Sequence, residues 1–340
     1  MELTVAEVPQ HLDVVSVLEL PDPRDGPEPW RRLGRGADIA WAVREQTWAA
    51  LSPAAIHWVL ANEPRFSAGR NDLQHGFLLT SDGDRHRRER QLFARHFGQR
   101  IVSASESMIR GEFKSAREAA DLIAGASGLC RDVWRVIFAL DAPDNSLVDL
   151  VEHVKAGRRG AGEIEGELMR QEPLAGLLSD LQGTLPRAEA RRQASFLAVA
   201  LSVAILQTLP GAAVLAAHRK RLAAEEGELI DLKGADDLLA QDSPLLGLFR
   251  FASATDEFSQ LSSRTGETPI QLCWVAANQR RDGAARSWTF GAGRHACPAR
   301  NLALFTVQTT VNSGMHVPSP LPIDEATLPH VRMPLLQPAK

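Results

Sequence analysis

Cysteine is scarce in this chain. The three cysteines in 340 residues, Cys130, Cys273 and Cys297, form no CxxC pair and no spacing that would build a disulfide framework. That excludes a small disulfide-stapled secreted fold and agrees with a reducing cytoplasm. The opening stretch MELTVAEVPQHLDVV lacks both the basic start and the apolar core of a signal peptide, so a cytoplasmic location is expected. An excess of charge of one sign is missing too. With 38 Lys and Arg against 42 Asp and Glu, the net charge of −4 favours neither nucleic acid nor an anionic membrane as partner. No internal repeat or low-complexity tract appears. What the chain holds in quantity is apolar residues, 44%, enough at this length to bury a large core, as one big domain or two small ones.

One segment imitates a membrane span. Phe196 to Ala217 carries no charge over 22 residues. Ser202, Gln207, Thr208 and Pro210 interrupt it, and Arg191, Arg192, Arg219, Lys220 and Arg221 flank both ends, so charge sets no orientation. A helix apolar all round is equally the central helix of a large soluble core, and the polar character of the surrounding chain favours that reading.

Along the chain, Pro21 to Pro29 reads as an extended arm or loop. Short strands are expected at Asp38 to Val43 and Thr47 to Leu51, then a helix over Pro53 to Asn62 and an Arg-rich helix over Asp84 to Phe97. Helical periodicity dominates from Ser103 to Leu239, broken at Asp141 to Asn145, at Glu172 and Pro173, and at Gly183 to Pro186. A strand-like run returns from Ser262 to Ala277, its part from Pro269 to Val275 apolar enough to be buried. Loop and short strand are expected from Pro318 onward. The fold class expected for the chain is mainly α with small β-sheets. Its β-rich parts lie in 29–80 and 252–340, and its helical part in 84–250.

The chemistry concentrates in FGAGRHACPA, Phe290 to Ala299. Gly291 and Gly293 let the chain turn tightly and approach a flat group with no Cβ in the way. Pro298, next to Cys297, suits a first helical turn, and Arg300 to Val307 can follow as a helix, so the thiol stands at a positive dipole end. Such a thiolate, with the cationic donors Arg294 and His295 beside it, has the needs of a metal ligand met. Two other readings compete. Gly291-x-Gly293-x-x-Ala296 formally matches a dinucleotide fingerprint, but no buried strand precedes it, and the first acid after it is Asp324. An inert cysteine in an ordinary turn is the plainer reading.

The decapeptide resembles the cysteine loop of the cytochrome P450 superfamily, F-x-x-G-x-x-x-C-x-G/A, at Phe290, Gly293, Cys297 and Ala299. Gly291 and His295 agree with its bacterial form. RFSAG at Arg65 to Gly69, SDGDRHRRERQLFARHF at Ser81 to Phe97 and VAAN at Val275 to Asn278 resemble further family segments in the right order. The resemblance implies a shortened cytochrome P450-like fold, in a single domain over residues 1–340, and haem b (iron protoporphyrin IX) held by Cys297 as metal ligand. It also implies that His86, Arg90 and His295 meet the propionates. His86 and Arg90 lie four apart on one helical face, though a solvated basic helix has the same pattern.

The chain also departs from that family. Its central-helix pattern A-G-x-D/E-T falls on Ala204 to Thr208, where Thr208 remains but Gln207 replaces the acid, and an amide has no dissociable proton to relay. Pro210 should kink this helix; a simple bend in a core is the other reading of these three residues. Glu is missing from the E-x-x-R motif if Gly247 to Arg250 is its counterpart, and eleven residues between Asn278 and Phe290 leave no room for the usual meander. Arg250 is left either solvent-exposed or turned to a propionate. Asp256 and Glu257 are candidates to bind an amine or guanidinium, or are surface acids. Arg87, Arg88, Arg95, Arg100, Arg280 and Arg281 form a candidate basic patch for an acidic ferredoxin-like electron donor, or are dispersed solubilising charge.

These features lead to a haem-thiolate oxidoreductase acting on a small organic molecule in specialised metabolism. Monooxygenation is what the family implies; the missing acid opens peroxygenation, dehydration or rearrangement. An alternative from another class is a catalytically silent family-like auxiliary protein that activates a biosynthetic enzyme such as a glycosyltransferase.

Overall fold

The computed structural model describes residues 12–33, 35–69, 78–138, 177–223, 228–253, 256, 267–280, 286–323 and 334. After β1 (Val14–Leu18) come α1 (Pro27–Leu33), β2 (Ile39–Ala42), β3 (Thr47–Ala50), α2 (Pro53–Ala61) and β4 (Phe66–Ser67). The long helices follow: α3 (Gly83–Met108), α4 (Ala119–Phe138), α5 (Leu177–Gln182), α6 (Arg187–Val203), α7 (Leu209–Leu222) and α8 (Leu232–Gln241). The chain returns through β5 (Gly247–Ala252), β6 (Thr268–Cys273), α9 (Trp274–Asn278) and α10 (Arg300–Asn312). It is a mainly helical molecule with one small mixed sheet among the described residues, ordered β1-β2-β3-β6-β5-β4.

Local chemistry accounts for several boundaries. Ser52 caps α2, its hydroxyl accepting from Ala55 N–H, with Pro53 ready-set in the first turn. Asp231 caps α8 in the same way through Gly234 N–H. In the sheet, Ile39 faces Ala50 and Trp41 faces Trp48 across the antiparallel β2–β3 pair, and Trp48 also lies beside Ile270 in the parallel β3–β6 pair. β3 is buried at all four positions because it is central in the sheet.

The uncharged segment lies inside one continuous helical stretch, Arg187–Leu222, 71% of whose most apolar window is buried within the protein. Leu197, Ile205, Leu209, Ala213 and Ala216 join the main core, to which α4 supplies Leu129, Val133 and Trp134 and α10 supplies Leu304 and Val307. That is the packing of a core helix. Between α6 and α7, Ala204–Thr208 winds as a π-turn, and Leu209 N–H reaches back five residues to Ala204 O. Pro210 gives the reason: it has no N–H for the Leu206 carbonyl, and its ring crowds the preceding turn, so the ladder widens just before it.

Four expectations are corrected. Pro21 to Pro29 is not an extended arm: Pro23–Asp25 is a short 3₁₀ turn and Pro27 opens α1, since proline suits a first turn. The strand-like run does not reach Ala277: β6 ends at Cys273, and Trp274–Asn278 is helix α9. Pro298 is not in the following helix, which starts at Arg300 after a turn at Pro298 and Ala299. Gly247 to Arg250 is not an E-x-x-R helix but the first part of β5, paired with β6 along its whole length. The interruptions expected at 141–145 and 172–173 lie outside the described residues.

Gly247 is required by contact. A Cβ there would stand 2.1 Å from Leu272 O on the paired strand, which only backbone movement relieves. Gly247→Ala should destabilise the fold by about 1–3 kcal/mol, read as a lowered urea midpoint at unchanged slope; an unchanged midpoint would show that β5 shifts freely.

Candidate thiolate site

The cysteine loop is built from two 3₁₀ turns, Trp288–Phe290 and Gly293–His295. Gly291 (φ +66) and Gly293 (φ +62) both adopt the left-handed region, so backbone conformation demands glycine at each. At Gly293 a Cβ would meet nothing within 4 Å, so steric room alone would admit a side chain and only the backbone excludes one. The loop closes where Cys297 N–H donates to Phe290 O at 2.7 Å. Cys297 is half-buried, whereas Cys130 and Cys273 are buried.

Opposing effects act on the Cys297 thiol. Burial raises its pKa, and Ala299 N–H, Arg90 and Arg300 pull in the other direction without overcoming it. The net direction is upward, so the sulfur keeps its proton until a cation takes its place. Burial also pushes Cys130 up to about 11 and raises Cys273 strongly. Arg131 acts on Cys130 and the Glu45 carboxylate on Cys273, whereas two guanidiniums act on Cys297.

α3 brings the second group of residues. His86 is 2% exposed, and its ring stacks on His295 with centroids 3.9 Å apart. Burial, then the neighbouring His295 and Arg90, lower its pKa to about 4, so the ring is neutral at pH 7. Its Nε2 has no hydrogen-bond partner among the described residues. Arg90, one turn on, donates through Nη1 to Ala296 O at 2.6 Å, pinning the carbonyl just before the cysteine. His295 Nε2 lies 3.5 Å from both Glu63 Oε1 and Asp82 Oδ1, an ion-pair distance too long for a good hydrogen bond.

Sequence reasoning missed those two acids. Asp82 accepts from Ser67 Oγ at 2.7 Å and Ala68 N–H at 2.8 Å, and Glu63 accepts from Gly83 N–H at 3.0 Å. Glu63, Asp82 and His295 have the grouping of a cation site. Yet Arg294 Nη1 stands 3.3 Å from Glu63, and the buried Arg250 is drawn by the charges of both acids. The two carboxylates are therefore matched by two guanidiniums, and a divalent ion would leave an uncompensated positive charge. Arg250, 6% exposed, is not solvent-exposed. The one available signal was that Asp82 precedes His86 by one helical turn, at the start of α3.

On the helical stretch α6–α7, Gln207 is buried and Thr208 half-buried, while Ala204 is exposed in the middle of a core helix. Ala204 and Thr208 lie four apart on the widened turn, so this stretch of the core helix has an open side. Other candidates lie elsewhere. Asp256 is held by Arg65, Nε to Oδ2 at 2.6 Å and Nη2 to Oδ1 at 3.2 Å, while that guanidinium lies over Trp58 and Phe66. Arg280 pairs with Asp38 at 2.5 Å and also donates to Gly36 O, so it ties α9 to the start of β2 instead of joining a patch. Arg87, Arg88 and Arg95 are exposed on α3. Glu257, Arg281 and the Arg100 side chain lie outside the described residues.

His86 makes stability depend on pH. Its folded pKa lies below the ordinary 6.5, so the unfolded chain binds the extra proton first, and stability falls as pH drops from about 6.5 to about 4. The contribution of this one group is about 3 kcal/mol over that window. Urea unfolding of the unliganded protein at pH 7 and pH 4.5 should show a clearly smaller loss for His86→Phe than for the unaltered chain; equal losses would refute the assignment.

No protein-family model and no curated protein sequence matches the chain. Solved structures do. The hydroxylase HmtN matches with a TM-score of 0.67 at 18% identity, over 92% of this chain and 97% of that one. A mutant of P450 EryK in complex with erythromycin B gives 0.66 at 17%, over 93% and 97%. A thermophilic cytochrome P450 from Sulfolobus tokodaii gives 0.63 at 15%, over 90% and 97%. The chain therefore has the cytochrome P450 fold, at 15–18% sequence identity to these structures.

Proposed function

We propose that the chain is a haem-thiolate oxidoreductase acting on a small organic molecule, with Cys297 as the axial ligand. The observation that carries this is the half-buried Cys297 thiol just before α10, closed by the Phe290 carbonyl and facing the cations Arg90 and Arg300. The residues present fit the group. His86 Nε2 is a buried nitrogen without a hydrogen-bond partner among the described residues, and a propionate would supply the acceptor it lacks, whereas His295 Nε2 already faces Glu63 and Asp82 at 3.5 Å. Arg250 adds a buried cation in the same cluster. Haem held there supplies the oxidising chemistry, and the chain supplies position and proton control.

That control is weakened in this chain. Thr208 offers a hydroxyl that can donate or accept, whereas the buried Gln207 has no proton to give near pH 7. Monooxygenation with dioxygen therefore has a poor relay. Hydrogen peroxide brings its own two protons, so peroxide-driven oxidation needs no delivery from solvent, and a dehydration or rearrangement needs no dioxygen. Specialised metabolism as the setting is supported by fold neighbours described as a post-tailoring hydroxylase and as P450-like monooxygenases of microbial secondary metabolism. The exposed Arg87, Arg88 and Arg95 suit an acidic ferredoxin-like donor in the cytoplasm.

The auxiliary-protein reading keeps one supporting observation: Glu63 and Asp82 already match Arg294 and Arg250 within the protein, so that cluster balances its charge without a bound group. Reduction under carbon monoxide separates the two. A long-wavelength Soret band lost in Cys297→Ser is expected; a colourless folded protein after expression with added porphyrin precursor selects the auxiliary role. Thr208→Ala should cut dioxygen-dependent turnover about a hundredfold and spare peroxide-dependent turnover. Gln207→Glu should raise dioxygen-dependent turnover. Equal loss of both activities in Thr208→Ala contradicts the bypass.

A further inference from the structure

Asp236 on α8 is 4% exposed, far from the ordinary place of a carboxylate. Both of its oxygens are occupied. Oδ1 accepts from Ser287 Oγ at 2.6 Å, and Oδ2 accepts from Ser287 N–H at 3.0 Å and lies 3.1 Å from Arg300 Nη2. Ser287 immediately precedes the 3₁₀ turn Trp288–Phe290, whose last carbonyl receives Cys297 N–H. Arg300 opens α10 three residues beyond the cysteine, and its guanidinium lies over the Phe290 ring, 5.7 Å from the centroid.

We infer that Asp236 is a positioning residue for the thiolate, a single buried carboxylate that clamps both ends of the cysteine loop to α8. Two further bonds hold the loop, one to α8 and one to α9. Thr289 Oγ1 donates to Leu239 O at 3.1 Å, and Trp288 N–H donates to Asn278 Oδ1 at 2.7 Å. The arrangement also explains why an arginine stands beside the sulfur at so little cost. Asp236 holds the Arg300 charge in place, and Arg300 in turn favours the anionic sulfur over the thiol. The expected E-x-x-R pattern is absent from residues 247–250, and this pair from α8 and α10 ties the loop to the helical layer instead.

Removing one member strands the other. Asp236→Asn leaves Arg300 a half-buried cation with no carboxylate, and Arg300→Gln leaves Asp236 buried with no charge partner, whereas the double variant strands neither. The inference rests on the haem-thiolate reading for one readout and is independent of it for the other.

The haem-free test is hydrogen exchange on the full chain. In Asp236→Asn the peptide spanning residues 287–300 should exchange about tenfold faster while α4 is unchanged; uniform acceleration or no change overturns the clamp. In the holoprotein under carbon monoxide, each single variant should convert most of its long-wavelength Soret band to the shorter-wavelength band of a lost thiolate. The double variant should recover a substantial part. Full retention in both single variants, or additive loss in the double, overturns it. If Asp236→Asn does not fold, Arg300→Lys keeps the charge but not the fork geometry. It should show the same local exchange and a partial band shift, and its indifference in both would equally defeat the inference. A missing thiolate band in the unaltered protein counts against the haem reading alone, since the exchange result still decides the clamp.

Discussion

The structure turns on one constraint: a thiol held half-open in a protein interior needs cations beside it, and those cations must themselves be held in place. Arg90 and Arg300 act on Cys297. Arg300 is answered by Asp236, while Arg294 and Arg250 are answered by Glu63 and Asp82. Burying a charge singly costs several kcal/mol, so Arg300 and Arg250 come with acids, while Arg90 is held by the Ala296 carbonyl. The members of this set come from α3 and the residue before it, α8, α10, β5, the residues after α2, and the loop itself. The whole fold must therefore assemble before the sulfur is in place.

The π-turn at Ala204–Thr208 is the second adjustment the core makes. A straight α-helix through Pro210 would lose the bond to the Leu206 carbonyl, and the widened turn moves the irregularity to the residues where exposed Ala204 and half-buried Thr208 stand. Packing and chemistry thus share one backbone irregularity.

Much of this was legible in the residues, and the parts that were not have a common cause. Long-range pairing leaves no periodic trace. Gly247 to Arg250 has apolar content compatible with helix or strand, and only β6 alongside makes it a strand. Asp256 and Arg280 have the composition of ligand or patch residues, yet Arg65 and Asp38, distant in sequence, take them as structural ion pairs. Glu63, Asp82 and Asp236 went unnoticed because a lone acid in a helical or loop segment reads as surface charge.

The sequence by itself determined the cysteine loop, since two positive-φ glycines, the thiol and the helix that follows are local requirements written in consecutive residues. It also determined the central apolar helix, the short β2 and β3 strands, and the break near Pro210. Only the tertiary structure decided which acid answers which arginine, and that His86 stacks on His295 instead of facing solvent. It alone placed Asp236 between the two ends of the loop. Periodicity encodes how much surface is buried, whereas electrostatic pairing depends on distances between segments that share no local pattern.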